Sequence, residues 1–378
     1  MSETYFEFIP QPPQWRIDWS SLETEGYPWI QRLQATQQDS TWHGEGDVWT
    51  HTKMVCEALT ELPEWRCLDE SAREIVFVAA LMHDIGKSEC TKMENGRIVS
   101  PKHAFIGGQL ARKILSQGFN MTGHVEQIKT RETIVAMIRY HSLPCRFLDR
   151  PDPLQEVIRT SCNLVNEHLA MLSQADLLGR ISEHKEFENI ALFRELTEEN
   201  HCWNGVFPFN SPHDRYAYFS GTLTHPMENL YDDSWGEVVM LSGLPASGKD
   251  YYATTNLANL PMISLDELRK LMKVSWQDDQ GTVVYAAKEK AKEYLRTKQS
   301  FVWNATNLTT QIRGSLIRLF TSYKARVKII YLETPWTTLL KRNSERADPV
   351  NELAIEKMFD KFEMPTIAEA HELEIVAK

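Results

Sequence analysis

Two groups of residues in this chain have side chains and spacings suited to chemistry on phosphate. The first group combines imidazoles and carboxylates in the order His51, His83-Asp84, His103, His141 and Asp176. The second is the run GLPASGKD at 243–250, which follows the apolar run 238–241. Imidazole and carboxylate bind first-row divalent metals, whereas a glycine-rich loop ending in lysine binds nucleotide phosphates. One group suits metal-dependent hydrolysis, and the other suits phosphoryl transfer from a nucleotide.

The residues of the first group lie at the ends of predicted helices. Apolar side chains recur every three or four positions over 48–59, 72–82, 104–115, 132–140, 153–166 and 169–178. Several rigid helices can direct their end residues to one point, and an aspartate between two metals can bridge them. A single His-Asp pair would suggest ordinary helix-end residues, but the full ordered set favours a metal site.

The order H, HD, H, H, D resembles that of the HD phosphohydrolase superfamily over roughly residues 43–185. The resemblance implies that one metal is held by His51, His83, Asp84 and Asp176. It implies a second metal held by His103, His141 and the shared Asp84, although either histidine could instead play a structural or supporting role. It further implies that Lys87, within HDIGK, contacts the scissile phosphate, and His43 is a weaker phosphate-binding candidate. Manganese, nickel, cobalt, copper and zinc all suit such ligands.

The second group lies between a predicted strand and a predicted helix, which is the context of a Walker A phosphate loop. Backbone amides in such a loop hold phosphates, and Lys249 reaches the β and γ oxygens. The predicted nucleotide-binding residues of the loop are Gly243, Leu244, Pro245, Ala246, Ser247, Gly248, Lys249 and Asp250. We expect ATP or another NTP to bind here with Mg²⁺.

Asp250 departs from the usual pattern, because Ser or Thr normally contacts magnesium at this position. Asn304 departs as well, since it ends a predicted strand where such kinases often carry an acidic residue. We expect Asp250 to supply negative charge near magnesium and Asn304 to supply a neutral oxygen. The alternative is that Asp250 only stabilises the positive N-terminal end of its helix.

The region after the loop resembles the 5′-OH polynucleotide kinases of the P-loop class. The matching segments are ISLDELRK at 263–270, NATNL at 304–308 and KRNSER at 341–346. The resemblance implies that Asp266 is the general base and that Arg269 contacts the acceptor phosphate. It also implies that Arg342 and Arg346 hold the donor phosphates from one face of a lid helix. The chemistry agrees, because phosphoryl transfer needs a base and cations around the transferred group; the alternative for the arginine pair is a solvated cationic face.

The chain outside these motifs indicates its organisation. We expect an all-α HD phosphohydrolase domain over 1–190, with its core at 43–185, and a packed connecting segment over 191–235. An α/β P-loop kinase domain with a parallel sheet should occupy 236–378, because short strands at 237–241, 262–264, 300–303 and 327–332 alternate with helices. We expect Trp42 and Trp276 to pack in a core, with stacking on terminal bases as the alternative.

Composition narrows the class of protein. The chain has 378 residues, 42% of them hydrophobic, and a formal net charge of −11. This charge disfavours a protein that coats duplex nucleic acid, but not an enzyme that binds one end through a local cationic site. We expect no membrane span and no secretory signal. Six scattered cysteines without a C-x-x-C pair indicate reduced thiols in the cytoplasm.

An HD module followed by a P-loop kinase closely resembles the bacterial bifunctional HD-domain polynucleotide kinases, from about residue 43 to the end of the chain. The resemblance implies repair of RNA or DNA ends: a 5′-OH is phosphorylated, and a 2′,3′-cyclic, 2′- or 3′-phosphate is removed. A ligase could then act downstream. One alternative is an HD nucleotide phosphohydrolase fused to a small-metabolite kinase, and another is a non-catalytic, ATP-gated binding module.

Overall fold

The computed structural model describes residues 5–24, 27–183, 185–275 and 278–378. Trp276 lies outside these residues, so core packing and base stacking both stay predictions for it. The chain forms two compact units, the first from residues up to 119 together with 129–208, and the second from 120–128 together with 209–378. The domain limits inferred from sequence stay predictions.

The first unit is helical. Its α-helices, in chain order, are α1 (Trp19–Thr24), α2 (Pro28–Gln34), α3 (Val48–Glu61), α4 (Pro63–Cys67), α5 (Glu70–Met82), α6 (Lys87–Cys90), α7 (His103–Lys113), α8 (Val125–Tyr140), α9 (Leu143–Arg146), α10 (Pro153–Ser161), α11 (Asn166–Leu178) and α12 (Phe187–Glu199). A π-helical turn at Ile114–Gly118 continues α7, and a 3-10 turn covers Phe147–Asp149. Helix α8 begins within the second unit. In the parts of the chain that the structure describes, no helix is both long and apolar enough to cross a membrane.

Aspartates set the beginnings of the helices that carry the metal-binding candidates. The side chain of Asp47 accepts a hydrogen bond from the amide of Thr50 at the start of α3, at 2.9 Å, and Asp69 accepts one from Ala72 at the start of α5, at 2.8 Å. Such N-caps satisfy backbone donors that have no partner within the helix. Helices α3, α5 and α11 then pack on one another through buried apolar faces.

The first unit also contains elements that the sequence pattern did not indicate. A short antiparallel hairpin joins β1 (Lys92–Glu94) to β2 (Arg97–Val99), with Met93 opposite Ile98. Helix α12 begins at Phe187, in a region where the sequence suggested irregular structure from about 190 onwards. It is helical because Ile190, Phe193 and Thr197 fall on one buried face at a spacing of three and four residues.

The second unit is built around a parallel sheet. Its strands are β3 (Glu237–Ser242), β4 (Met262–Ser264), β5 (Phe301–Asn304), β6 (Arg326–Glu333) and β7 (Glu372–Ala377). Among the described residues these five strands lie in the order β4-β5-β3-β6-β7, and each pairs in parallel with its neighbours. With the helical first unit, this arrangement confirms the predicted fold class.

Helices cover both faces of this sheet. They are α13 (Pro212–Phe219), α14 (Lys249–Asn256), α15 (Leu265–Leu271), α16 (Gly281–Arg296), α17 (Thr310–Thr321), α18 (Trp336–Ser344) and α19 (Glu352–Asp360). Val238 and Met240 face a core shared with α16 and α17, while Val239 and Leu241 face a second core that includes Ala253 of α14. Because both faces of β3 are buried, its sequence is an uninterrupted apolar run.

The sequence pattern missed one strand of the sheet. Strand β7 was not among the strands predicted from the sequence, and it pairs with β6 so that Ile375 lies opposite Tyr331. As an edge strand it is only partly buried, so glutamates interrupt its apolar residues. Only the pairing with β6 marks this segment as part of the sheet.

His371, just before β7, is a buried titratable group in the second unit. Its side chain is 3% exposed, and its ring stacks on those of His213 and Tyr216 at centroid distances of 5.6 and 4.6 Å. Its Nδ1 accepts a hydrogen bond from the amide of Val327 at 3.1 Å, so this nitrogen carries no proton. Burial, aided by the nearby Arg326, lowers the pKa of His371 to about 4.

We expect His371 to make the protein less stable as the pH falls from about 6.5 to about 4. Over this range the unfolded chain binds a proton at His371 and the folded chain does not, so the free energy of unfolding decreases with falling pH, by up to about 3 kcal/mol. His371→Asn retains an acceptor but cannot be protonated, and it should flatten this dependence. Denaturant unfolding of both proteins at several pH values measures it; parallel curves would contradict the assignment.

Candidate functional site

The structure brings together the first predicted metal-binding set. The Nε2 atom of His51 lies 3.1 Å from Asp176 Oδ1 and 3.3 Å from the Nε2 atom of His83. Asp84 approaches the same point, with its Oδ2 atom 3.3 Å from His83 Nε2. These residues come from α3, the end of α5 and the last turn of α11, and all are at most 2% exposed. Ligand atoms of His51, His83 and Asp176 lie within 4.8 Å of one another and form a group that could hold a metal ion.

The second predicted set lies beside the first and shares Asp84 with it. The Nε2 atom of His103 is 3.5 Å from Asp84 Oδ1 and 3.5 Å from His141 Nε2, and these residues form another candidate metal-binding group. The two oxygens of Asp84 therefore face different groups, Oδ2 toward His83 and Oδ1 toward His103. This is the geometry expected of a carboxylate that bridges two metals.

Backbone carbonyls orient three of the four imidazoles. The Nδ1 atoms of His83, His103 and His141 lie 2.8, 3.0 and 2.7 Å from the carbonyl oxygens of residues three positions earlier in each case. A carbonyl oxygen only accepts hydrogen bonds, so each Nδ1 carries the proton and each Nε2 has a lone pair directed at the cluster. The helix-end positions thus fix both the place and the tautomer of each ring.

A glycine contact brings the helices of the cluster close together. A Cβ atom at Gly86, within the HDIGK segment, would lie 2.1 Å from the carbonyl oxygen of His103 and 2.5 Å from the amide of Gly107. Only glycine at position 86 allows α7 to approach this closely, and α7 carries His103. The glycine of the motif therefore positions a metal-binding candidate that lies 17 positions later in the sequence.

The electrostatics of the cluster fit divalent metal ions. Burial, together with the nearby His83 and His103, lowers the pKa of His141 to about 3, so this ring is neutral as metal binding requires. Burial opposes ionisation of Asp84, but Lys87 and the histidines hold its pKa well below the usual value. The Oδ1 atom of this carboxylate is buried without a hydrogen-bond partner among the described residues. A buried, ionised oxygen without a donor is where a cation would bind.

Two cations and an open cavity adjoin the cluster. Lys87, predicted to contact the scissile phosphate, places its Nζ atom 2.6 Å from Asp84 Oδ2 and donates to Gln38 Oε1 at 2.7 Å. Arg180, which the sequence analysis did not single out, donates to both oxygens of Asp176. All five of these residues line a cavity of about 620 Å³, as does His43. Arg180 lies four positions after Asp176, just beyond the end of α11 at Leu178, and this spacing could have indicated the pair.

Glu45 is a further residue that the sequence analysis missed. Its Oε1 atom accepts a hydrogen bond from His43 Nδ1 at 2.8 Å and lies 2.8 Å from His51 Nδ1, although the second approach is not well aligned. Its Oε2 atom accepts from the amide of Ile181 at 3.0 Å. Burial raises the pKa of Glu45, but these hydrogen bonds outweigh it and lower the pKa overall. Its acceptor position favours an Nδ1 proton on His51, which leaves the His51 Nε2 lone pair for the cluster.

The phosphate loop of the second unit connects β3 to α14. Its glycines are required by the backbone: Gly243 and Gly248 have φ values of 149° and 96°, and a Cβ atom at Gly243 would lie 2.4 Å from the carbonyl oxygen of Leu332. Lys249 folds back into the loop, where its Nζ atom donates to the carbonyls of Gly243 and Leu244 at 2.9 and 2.8 Å. Burial lowers the pKa of Lys249 to about 8. The ammonium thus lies where nucleotide phosphates would bind.

Asp250 and Asn304, the two residues that depart from the usual kinase pattern, contact each other. Asn304, at the end of β5, donates a hydrogen bond from Nδ2 to Asp250 Oδ1 at 2.6 Å. Asp250 lies in the first turn of α14, where its carboxylate accepts this hydrogen bond from Asn304. An Asn amide directed at the carboxylate orients it beside the loop. Whether Asp250 binds magnesium stays a prediction.

The predicted acceptor residues lie at the same edge of the sheet as the phosphate loop. Ser264, at the end of β4, caps α15 by accepting a hydrogen bond from the amide of Glu267. Within α15, Arg269 of the last turn pairs with Asp266 of the first turn, and it also donates to Gln280 at 2.7 Å. The side chain of Asp266 is 59% exposed. The proposed base is therefore accessible, and its neighbouring cation is held from two sides.

One expectation about the arginine pair is wrong. Arg342 lies in the last turn of α18, and its guanidinium is 3.8 Å from the position of a Cβ atom on Gly248. Arg346 lies beyond the end of α18 at Ser344, so the two residues do not share a helix face. The chain leaves the helix because the side chain of Asn343 bonds both the amide and the carbonyl of Val350. Arg346 nevertheless remains close enough to lower the pKa of Lys249.

Comparisons with known proteins agree with the division of the chain into a helical unit and a unit built on a parallel sheet. Residues 47–180 match the family model of the HD domain, and residues 238–365 match that of an AAA domain. With the helical first unit and the parallel sheet of the second, these matches show an HD domain and a P-loop kinase-like domain in one chain. The HD domain implies a dependence on metal, and the P-loop kinase implies a nucleotide with Mg²⁺.

Individual relatives match the kinase-like part. The L-seryl-tRNA(Sec) kinase of Methanococcus maripaludis is 28% identical over 137 residues, which are 34% of this chain and 53% of that protein. The match thus spans about half the length of this relative. A putative kinase from Chloroflexus aurantiacus has a TM-score of 0.33 and 17% identity, with 38% of this chain and 88% of that chain covered. A gluconokinase from Sinorhizobium meliloti has a TM-score of 0.29 and 15% identity, with 38% and 85% covered.

We expect Glu45→Ala to weaken metal binding by the cluster roughly ten- to a hundred-fold, because His51 would lose the acceptor that orients it. Glu45→Gln keeps one carbonyl acceptor, so its effect should be smaller. Competition between the protein and a chromogenic chelator for Mn²⁺ or Ni²⁺ measures the apparent Kd. Wild-type affinity in a folded Glu45→Ala protein would show that the carboxylate does not position His51.

We expect Asp250→Ser to raise the Mg²⁺ concentration needed for half-maximal kinase activity, by roughly five-fold for the loss of one exposed charge. Asp250→Asn is the matched variant, since it removes the charge but retains an acceptor for Asn304. If both variants shift the Mg²⁺ titration, the charge matters; if only Asp250→Ser does, the hydrogen bond matters. Unchanged titrations in both would leave Asp250 as a helix-end residue.

Proposed function

We propose that this chain is a bifunctional enzyme that repairs the ends of broken RNA in the cytoplasm. Its P-loop domain would phosphorylate a 5′-OH end, and its HD domain would remove a 2′,3′-cyclic, 2′- or 3′-phosphate. The observation that supports this best is the presence in one chain of two separate phosphate-directed sites. RNA cleavage by attack of a 2′-OH leaves 5′-OH and 2′,3′-cyclic phosphate ends. Both ends need chemical change before a ligase can join them.

In the proposed kinase step, Asp266 accepts the proton of the 5′-hydroxyl while that oxygen attacks the γ-phosphorus of the NTP. The bond to the β–γ bridging oxygen breaks, and the nucleoside diphosphate leaves. Lys249, the loop amides, Arg342 and Arg346 stabilise the charge that spreads over the transferred group. Mg²⁺, when bound beside Asp250, would neutralise the donor phosphates. Arg269 is suited to bind a phosphate of the acceptor strand, because Gln280 already orients its guanidinium.

The surroundings of Asp266 favour a large acceptor over a small metabolite. Its side chain is more than half exposed, and that of Arg269 is 25% exposed. A small-metabolite kinase commonly encloses its acceptor, since burial supplies most of the binding energy of a small ligand. The relative from Methanococcus maripaludis is itself named for an RNA-linked acceptor. A polynucleotide acceptor could instead gain affinity from contacts along its length.

In the proposed phosphoesterase step, the residues that would hold the divalent metals are His51, His83, Asp84, His103, His141 and Asp176. Metals bound there activate water and neutralise phosphate oxygens. Lys87 and Arg180 bring positive charge to the floor of the cavity, where the phosphate would lie. Attack of water on a cyclic ester opens the ring to a monoester, and attack on a monoester releases inorganic phosphate.

An end-group assay tests this function directly. RNA that carries a 5′-OH and a 2′,3′-cyclic phosphate is incubated with ATP, Mg²⁺ and either Mn²⁺ or Ni²⁺, and both ends are analysed. Asp84→Ala should lower end dephosphorylation on the order of a hundred-fold or more and spare the kinase. Lys249→Ala should do the converse, with a loss of roughly a hundred- to a thousand-fold.

Three outcomes would contradict the proposal. Failure of the wild-type protein to alter either end with any divalent metal would remove the repair function. Labelling of a mononucleoside in preference to a 5′-OH oligonucleotide would favour a small-metabolite kinase. Loss of both activities in a folded Asp84→Ala or Lys249→Ala protein would show that the two sites are not independent.

A further inference from the structure

The cavity above the His/Asp cluster is larger than a phosphate requires. It has a volume of about 620 Å³, within the range of sites that enclose a whole small molecule. Asp84, His103, His141 and Asp176 form its floor. Its walls come from residues 38–43, the end of the β1–β2 hairpin and residues 142–149, together with Leu177, Arg180, Glu186 and Asn189. A phosphate at the floor therefore leaves room for the group attached to it.

Apolar side chains lie at the rim of this cavity, beside polar and charged ones. Trp42 and Leu148 both line the cavity, yet their side chains are 46% and 54% exposed, which places them at its mouth. Ile98 of β2 lines it as well. The exposure of Trp42 contradicts the core packing expected from sequence and leaves base stacking as a prediction. Large apolar side chains kept exposed around a polar site commonly mark a contact surface for a ligand.

The floor of the cavity is charged, and apolar side chains lie at its rim. A nucleotide has the same order, with a charged phosphate at one end and an aromatic base at the other. Lys87 is 8% exposed and lies against Asp84 at the floor, whereas Trp42 at the mouth is 46% exposed. The cavity lining carries three cations and five carboxylates: Lys87, Arg146, Arg180, Asp39, Asp84, Asp149, Asp176 and Glu186. This excess of negative charge disfavours further phosphates beyond the one at the floor, whereas a neutral base meets no such repulsion.

We propose that Trp42, with Leu148, forms a subsite for the base of the terminal nucleotide whose phosphate lies on the cluster. The inference rests on the proposed phosphoesterase function and adds a determinant of substrate choice to it. Bases of every type stack on an indole, because each has a π-face, so the subsite favours a nucleotide over a simple phosphoester without selecting one base. The rim would also help to orient the terminal ribose, since base and phosphate are then held at its two ends.

The test compares two substrates that share the reacting group. One is a nucleoside 2′,3′-cyclic phosphate, and the other is 1-O-methylribose 2,3-cyclic phosphate, which lacks the base. In the full-length wild-type protein with Mn²⁺ or Ni²⁺, the nucleotide should be hydrolysed with the higher kcat/KM. Trp42→Ala should reduce this preference roughly ten-fold, mainly through KM of the nucleotide. Trp42→Phe retains an aromatic face and should keep most of the preference.

Met93→Ala is the matched control variant, because Met93 is a large exposed apolar residue of the same unit that does not line the cavity. Its preference should equal that of the wild type. If the wild type processes RNA ends but Trp42→Ala keeps the wild-type preference, or Trp42→Phe loses as much as Trp42→Ala, the subsite is wrong and the proposed function stands. If the wild type hydrolyses neither substrate and no RNA end, the proposed function fails, and the subsite fails with it.

Discussion

The buried carboxylate of Asp84 is the constraint on which the candidate metal site depends. It is 2% exposed and ionised, so its burial costs free energy unless positive charge lies nearby. Lys87 compensates one oxygen at 2.6 Å, and the other oxygen has no hydrogen-bond partner among the described residues. Backbone carbonyls hold His83, His103 and His141 through Nδ1, so the Nε2 atoms of these rings point into the cluster around this carboxylate. The cluster is therefore a set of ligands that is incomplete without a cation.

Backbone groups hold the residues of this cluster in place more than additional side chains do. Helix ends supply the carbonyls that fix three imidazoles, and Gly86 allows the close approach of α7. Glu45 adds one charged support, which ties His43 and His51 to the amide of Ile181. Because three of the four rings are held at Nδ1 by backbone carbonyls, the protein itself orients their Nε2 atoms.

The second unit places its chemistry at the carboxyl edge of a parallel sheet. The phosphate loop follows β3, the Asp266–Arg269 pair follows β4, and Asn304 ends β5. Adjacent parallel strands end at the same edge, so segments far apart in sequence meet there. The contact between Asn304 and Asp250 is a direct result, since β5 lies next to β3. Both unusual residues of the motif are thus explained by one hydrogen bond.

Sequence reasoning found the elements that carry strong periodicity or strict motif spacing. Helices α3, α5 and α11 and the central strands were identifiable because burial demands regular apolar positions. Strand β7, the hairpin and α12 were not, because partial burial leaves their patterns weak. Arg346 was misplaced for a related reason: i,i+4 spacing implies one helix face only if the helix continues, and Asn343 ends it through contacts with Val350.

The sequence by itself determined the fold class, the order of the metal-ligand candidates and the phosphate loop, because these depend on residue types at fixed local spacing. Only the tertiary structure decided that Asp84 faces both histidine groups, that Glu45 and Arg180 support them, and that Trp42 lies at a cavity mouth. Those relations join residues from separate helices and loops. Their distances are set by how apolar faces pack, which no local spacing encodes.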